Sequence, residues 1–308
     1  MPANTALFKL IVFLAWAGVF PVFPDNHANA ASAMDTPIHS ARFTTSDGVQ
    51  LHVLEACPPG KNMQDAASAV IAFVPGWSMP AAVWREQLLA LGKSRCVAAL
   101  DPRGQGESAV ADDGYNIVRR AADVREFIAR YPRVVLVGWS LGALEALEYV
   151  HRHGHGALDG LVLVDSSVGE DPEPPPSSTF RDALKRDRRA AIADFMQGIF
   201  GATRSGPEIE ALTTAALRMP LDASLSVFPR GIPRTHWRSI TRAFPKPLLY
   251  VVSTQFAAQA KALQQHRPAT QIAIFEKSGH ALFVDEPARF NALLAGFAAP
   301  APDQTAAD

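Results

Sequence analysis

The sequence predicts an α/β protein with a mostly parallel sheet covered by helices on both faces, and three observations carry that prediction. Apolar runs at 69–74, 96–100, 134–137 and 161–164 alternate with helical stretches near 81–92, 115–130 and 141–152. Each run is apolar on both faces, as strands buried in the middle of a parallel sheet are. Third, Val134 to Val137 stops at Gly138-Trp139-Ser140-Leu141-Gly142 and passes into Ala143 to Val150, strong helix-forming sequence.

Near its start the chain carries Lys9, an uncharged run from Leu10 to Phe23, and the small-residue sites Ala28-Asn29-Ala30 and Ala31-Ser32-Ala33. That is the layout of a secretory signal occupying 1–33, with cleavage expected after Ala30 or Ala33. The run is shorter than the ~20 residues of a membrane span, and Pro21 and Pro24 interrupt its helix, so no stable membrane anchor is expected after cleavage. The mature protein is therefore expected to be exported, periplasmic or secreted.

Arg42 to Thr45 and Val49 to Cys57 flank Ser46-Asp47-Gly48, a hairpin with Asp-Gly at its tip. The four apolar strands follow. Asp171-Pro172-Glu173-Pro174-Pro175-Pro176 is neither helix nor central strand and reads as a stiff connector. From 179 to 240 the pattern is helical, with Phe180, Leu184, Phe195, Met196, Ile199 and Phe200 apolar; Arg181, Lys185, Arg186, Arg188 and Arg189, alternating with Asp182 and Asp187, read as a solvated basic face in preference to a site for an acidic group. Strands return at 247–253 and 271–275, making eight in all, and Pro287 to Ala298 closes with a helix. The domain thus spans 34–298, and 299–308 reads as a disordered tail.

Of the 308 residues, 48% are hydrophobic and 19% charged, enough apolar material for one large core. The 29 basic and 30 acidic residues leave a net charge of -1, which gives no electrostatic case for nucleic acid or an anionic membrane surface. A small-molecule partner is expected.

Ser140 is the candidate nucleophile, because a serine on a sharp strand-to-helix bend needs glycines two residues to either side, and Gly138 and Gly142 stand there. A serine hydroxyl needs a base. His280 is the candidate among nine histidines, since Ser278-Gly279-His280 follows a strand and places the imidazole at the sheet edge where open α/β sheets bind ligands. His151, His153 and His155 look like a metal cluster, but they end the helix after Ser140, where cationic side chains favour the dipole and Gly154 is a stop. No metal site is expected.

Four motifs in order now carry a family resemblance: Pro75-Gly76-Trp77-Ser78, Asp101-Pro102-Arg103-Gly104-Gln105-Gly106-Glu107-Ser108, the Gly-Trp-Ser-Leu-Gly elbow and Ser278-Gly279-His280. Over roughly 42–298 the chain resembles the α/β-hydrolases with a helical cap, of the carboxylesterase and cofactor-free haloperoxidase-like type. The resemblance implies an eight-stranded, mostly parallel sheet, a cap at about 169–241 inserted after strand 6, and no cofactor. It also implies an oxyanion hole from the backbone N-H groups of Trp77 and Leu141; Trp77 and Trp139 are expected to line the substrate pocket or, equally, to fill space beneath the cap. Phe195, Met196, Phe200 and Trp237 suggest a medium-sized hydrophobic substrate, or packing between cap and core.

The third triad member departs from the family pattern. The strand that usually precedes the acid continues as Thr254-Gln255-Phe256, and no Asp or Glu occurs between Asp222 and Glu276. Some relatives carry the acid after the strand that follows the elbow helix, where this chain has Asp165; Glu170 and Asp171 are the alternatives. The family's sheet order further implies that Cys57 and Cys96 meet in a disulfide on the side away from Ser140. The resulting expectation is an exported serine hydrolase that cleaves a small-molecule carboxylic ester through an acyl-enzyme. A perhydrolase or haloperoxidase-like enzyme and a non-catalytic ligand-binding scaffold are the competing expectations.

Overall fold

The computed structural model describes residues 36–174 and 178–299. The expected leader at 1–33, Pro175 to Ser177 of the connector and the tail from 300 lie outside the described residues.

A hairpin of β1 (His39–Thr44) and β2 (Gln50–Ala56) opens the domain. Next come β3 (Val70–Val74), a 3-10 turn at Ala81–Trp84 leading into α1 (Arg85–Leu91), β4 (Val97–Asp101), α2 (Ile117–Ile128), β5 (Val134–Trp139), α3 (Leu141–His153) and β6 (Leu158–Val164). Between β6 and the rest of the sheet stand five helices: α4 (Ser178–Arg186), α5 (Arg188–Gly198), α6 (Gly206–Leu217), α7 (Leu221–Ser226) and α8 (Arg234–Ala243). The chain then runs through β7 (Leu248–Ser253), α9 (Ala257–His266), β8 (Gln271–Phe275), the short α10 (Leu282–Asp285) and α11 (Pro287–Phe297).

The eight strands form one sheet in the order β1-β2-β4-β3-β5-β6-β7-β8, antiparallel at β1 and β2 and parallel from β4 onward. Every residue of β3, β4, β5 and β7 is buried, as expected of apolar runs covered on both faces. Some helix starts are fixed by side-chain caps. Asn116 caps α2 by accepting from the Arg119 N-H, and Ser205 and Glu208 form a reciprocal capping box on α6.

One element departs from expectation. Helix α9 between β7 and β8 has no counterpart in the sequence reading, because Ala-Ala-Gln-Ala-Lys-Ala-Leu-Gln-Gln-His offers only small alanines and Leu263 as an apolar stripe. The stripe packs all the same, with Ala260 and Leu263 fully buried. Among the described residues no helix is long and apolar enough to cross a membrane.

Antiparallel pairing sets Ala56 opposite Val97, so the residues just beyond, Cys57 and Cys96, meet in a disulfide with Cα atoms 4.1 Å apart. It lies at the start of β4, at the sheet end remote from Ser140, and closes a loop of 39 residues. Replacing both cysteines by serine is expected to lower unfolding free energy by about 3–4 kcal/mol through the entropy returned to the unfolded chain. Denaturant titration of native and variant protein measures this; coincident midpoints would contradict it.

Candidate active site

Ser140 stands between β5 and α3 with φ +55°, a left-handed backbone that L-residues rarely adopt. The bend is held by its neighbours. Its N-H donates to the Val164 carbonyl of β6 at 2.9 Å, and a Cβ on Gly138 or Gly142 would collide with the backbone of Gly142 or of Val74 and Pro75 respectively. The two glycines that the sequence singled out are thus forced by close approach, and the hydroxyl is presented at the helix start.

The next strand, β6, repeats the device. Asp165 follows it with φ +43° and is fully buried. Its N-H donates to Val251 O at 2.8 Å, Oδ1 accepts the Ser253 N-H at 2.6 Å, and Oδ2 meets Nδ1 of His280 at 2.8 Å. A carboxylate can only accept, so the imidazole carries its proton on Nδ1 and leaves the Nε2 lone pair free to take another. The alternatives to Asp165 are engaged elsewhere: Glu170 forms a two-pronged pair with Arg242 at 2.6 Å, and Asp171 is exposed beside Arg234 and Arg238. Among the described residues no hydrogen bond joins Ser140 Oγ to His280; such bonds commonly tighten only when substrate binds.

Leu141 is the first residue of α3, so its N-H belongs to the first-turn amides that have no acceptor within the helix. The Gly76-Trp77 peptide crosses close to it: a Cβ on Gly76 would sit 3.1 Å from that of Ser140. Both amides named from the resemblance therefore border the elbow. Beside the elbow lies a cavity of about 690 Å³ lined by Ser140, Leu141, Trp77, Phe180, Phe195 and Phe228 among others. Trp77 organises that wall, with Phe180 and Phe195 edge-on at 5.2 and 5.4 Å, Phe228 stacked at 5.7 Å, and its indole N-H donated to Ser224 O at 2.8 Å.

Trp139 corrects the expectation that it lines the pocket. Its side chain turns into the core against Trp84 and Phe283, and Nε1 donates to the His280 carbonyl at 2.9 Å. Of the cap positions, Phe195 lines the cavity, whereas Met196 and Trp237 are buried as packing. The basic face is mostly exposed, but Arg186 borders the cavity and Arg188 bonds Met219 O and Ser224 Oγ. Phe228 and Ser166 were not singled out from the sequence; Phe228 sits in a turn without periodicity, while Ser166 follows Asp165 and could have been inferred from that place.

Comparison with known proteins follows the same lines. The model of the alpha/beta hydrolase family matches residues 71–293. The chain belongs to that family. A pimeloyl-[acyl-carrier protein] methyl ester esterase of Vibrio atlanticus is 28% identical over 251 residues, covering 74% of this chain and 93% of that protein. A non-heme chloroperoxidase of Kitasatospora aureofaciens is 31% identical over 153 residues, 45% of this chain, so the match spans about half (55%) of that relative's length. In structure, an esterase from Exiguobacterium antarcticum superposes with a TM-score of 0.70 at 18% identity, covering 84% of this chain and 98% of that one, a likeness of fold.

This alpha/beta hydrolase also carries a buried ion pair behind the elbow. Glu145 on α3 meets Arg120 on α2 at 2.9 Å, both nearly inaccessible. Burial pushes the Glu145 carboxyl up to about 7 against the pull of Arg120. The native state therefore holds this proton to a higher pH than the unfolded chain, and the associated stability is lost as pH rises from about 4.5 to about 7. Glu145→Gln removes that dependence. Relative to native protein, the variant is expected to gain about 2–3 kcal/mol between pH 5 and pH 7.5, read from denaturant midpoints; a difference independent of pH would refute it.

Proposed function

We propose that the protein is an exported serine esterase that works through an acyl-enzyme on Ser140. The observation that carries this reading is the Asp165-His280 bond beside a strained serine at a helix start. Ser140 Oγ attacks the ester carbonyl while His280 Nε2 takes its proton, and Asp165 holds the imidazole in the required tautomer and stabilises its cation. The carbonyl oxygen, now an alkoxide, receives the N-H groups of Trp77 and Leu141. His280 returns the proton to the departing alcohol, then activates a water that releases the acid and restores Ser140. The aromatic wall around Trp77 suits a medium-sized hydrophobic substrate.

With p-nitrophenyl esters of graded chain length as substrates, Ser140→Ala is expected to lower kcat by ~10⁶-fold and Asp165→Asn by ~10⁴-fold. A fluorophosphonate probe should label native protein at Ser140 and leave the alanine variant unlabelled. Near-native turnover of the Asp165 variant removes it from the triad, and an unlabelled native protein favours a ligand-binding scaffold.

The chloroperoxidase likeness favours a second reading, in which peroxide in place of water intercepts the acyl-enzyme. Peroxide-dependent halogenation that exceeds ester hydrolysis would select it.

Export is supported by the signal-like 1–33 and by a disulfide of the kind that persists in oxidising compartments. N-terminal sequencing of protein from the producing cell should begin at Ala31 or Met34; a start at Met1 or Pro2 would contradict export by this route.

A further inference from the structure

Gln105, in the loop after β4, is buried and uses both ends of its amide. Nε2 donates to the carbonyls of Gly76 at 3.2 Å and Met79 at 2.8 Å, and Oε1 accepts from both terminal nitrogens of Arg120 at 3.2 Å. The orientation is forced, because a guanidinium can only donate and carbonyls can only accept. Arg120 is held in turn by Glu145, five positions beyond Ser140 on α3. A continuous string thus runs from the elbow helix through α2 to the loop after β3.

Gly76 O and the Trp77 N-H belong to one planar trans peptide and point in opposite directions. Whatever fixes the carbonyl aims the amide. The carbonyl also accepts the Met79 N-H at 3.3 Å, a turn bond within its own loop; Gln105 is the tie from that carbonyl to the body of the domain. Buried ion pairs are poor sources of stability. Arg120-Glu145 is better explained by the orientation it imposes on Gln105.

We propose that Gln105 is a positioning residue for the reaction, aiming the Trp77 N-H at the oxygen that becomes negative when Ser140 attacks. This rests on the assignment of that amide to the oxyanion hole. Loss of one such donor typically costs ~10²- to 10³-fold in rate, so a misdirected one is expected to cost about 10- to 100-fold.

Two variants test it. Gln105→Met removes the bonds to Gly76, Met79 and Arg120 at similar volume, and Gln105→Glu keeps an acceptor for Arg120 while losing the donor to Gly76 and Met79. The readouts are kcat and KM for a p-nitrophenyl ester, and inhibition by a trifluoromethyl ketone, which adds to serine as a tetrahedral oxyanion. Both variants are expected to lose about 10- to 100-fold in kcat with KM little changed, and trifluoromethyl ketone Ki should rise in proportion. A folded variant with kcat within twofold of native, or a loss of kcat without the rise in Ki, overturns the proposal. Native enzyme that resists the ketone and survives Ser140→Ala would instead overturn the acyl-enzyme reading itself, and this one with it.

Discussion

The pairing of β6 with β7 is the constraint on which the candidate site depends. Parallel register puts Val164 opposite Val251, so Asp165 leaves β6 just where β7 ends at Ser253. A buried carboxylate needs partners. Asp165 obtains them from the neighbouring strand's last amide and from His280 on the loop after β8. Strand β7, which carries no acid after its end, supplies a backbone N-H to Asp165. The left-handed turn at Asp165 is the local cost of bringing the carboxylate back over the sheet edge.

The same edge is fastened to the cap on two sides of the elbow. On one side Trp77 gives its indole N-H to Ser224 and its ring faces to Phe180, Phe195 and Phe228, so the peptide beside Ser140 and the cavity wall share one side chain. On the other, Asp285 accepts the N-H groups of both Gly201, from the cap, and Gly279, next to His280. A Cβ on Gly279 would overlap the backbone of 199–201. From below, Trp139 holds the His280 carbonyl. Histidine position and cap position are therefore coupled through ordinary packing and hydrogen bonds.

What could be read in the sequence follows from which interactions leave a mark in side-chain identity. The eight strands, the elbow with its glycines, and Asp165 as the candidate partner of His280 could be picked out, because apolar runs, forced glycines and a stretch without Asp or Glu are properties of the letters themselves. The bond from Ser253 N to Asp165 was not, since a backbone amide has no letter. Trp139 was misplaced because strand alternation near a sharp bend does not say which way the last side chain turns. Helix α9 escaped for want of apolar contrast. The string from Glu145 through Arg120 to Gln105 joins residues far apart in the chain, each of which alone looks like an ordinary polar residue.

A second string of serine, histidine and carboxylate shows what a triad lacks by itself. Ser40 Oγ lies 2.8 Å from His52 Nε2, and His52 Nδ1 lies 2.7 Å from Asp101 Oδ2, distances as good as those at Asp165. Yet Ser40 sits within the edge strand β1, with ordinary strand backbone, and not at the start of a helix. Asp101 spends its remaining capacity on the amides of Ala81 and Glu107, fixing the loop after β4. The same order of side chains is there, but among the described residues Ser40 lies in a strand and not at a helix start, where an unpaired amide could receive developing negative charge. What separates Ser140 is the amide environment: a first-turn N-H from α3 and the Gly76-Trp77 peptide beside it. Since such donors act only if they are aimed before a reaction begins, on the proposed reading the groups that aim them belong to the candidate site as much as Ser140, His280 and Asp165 do.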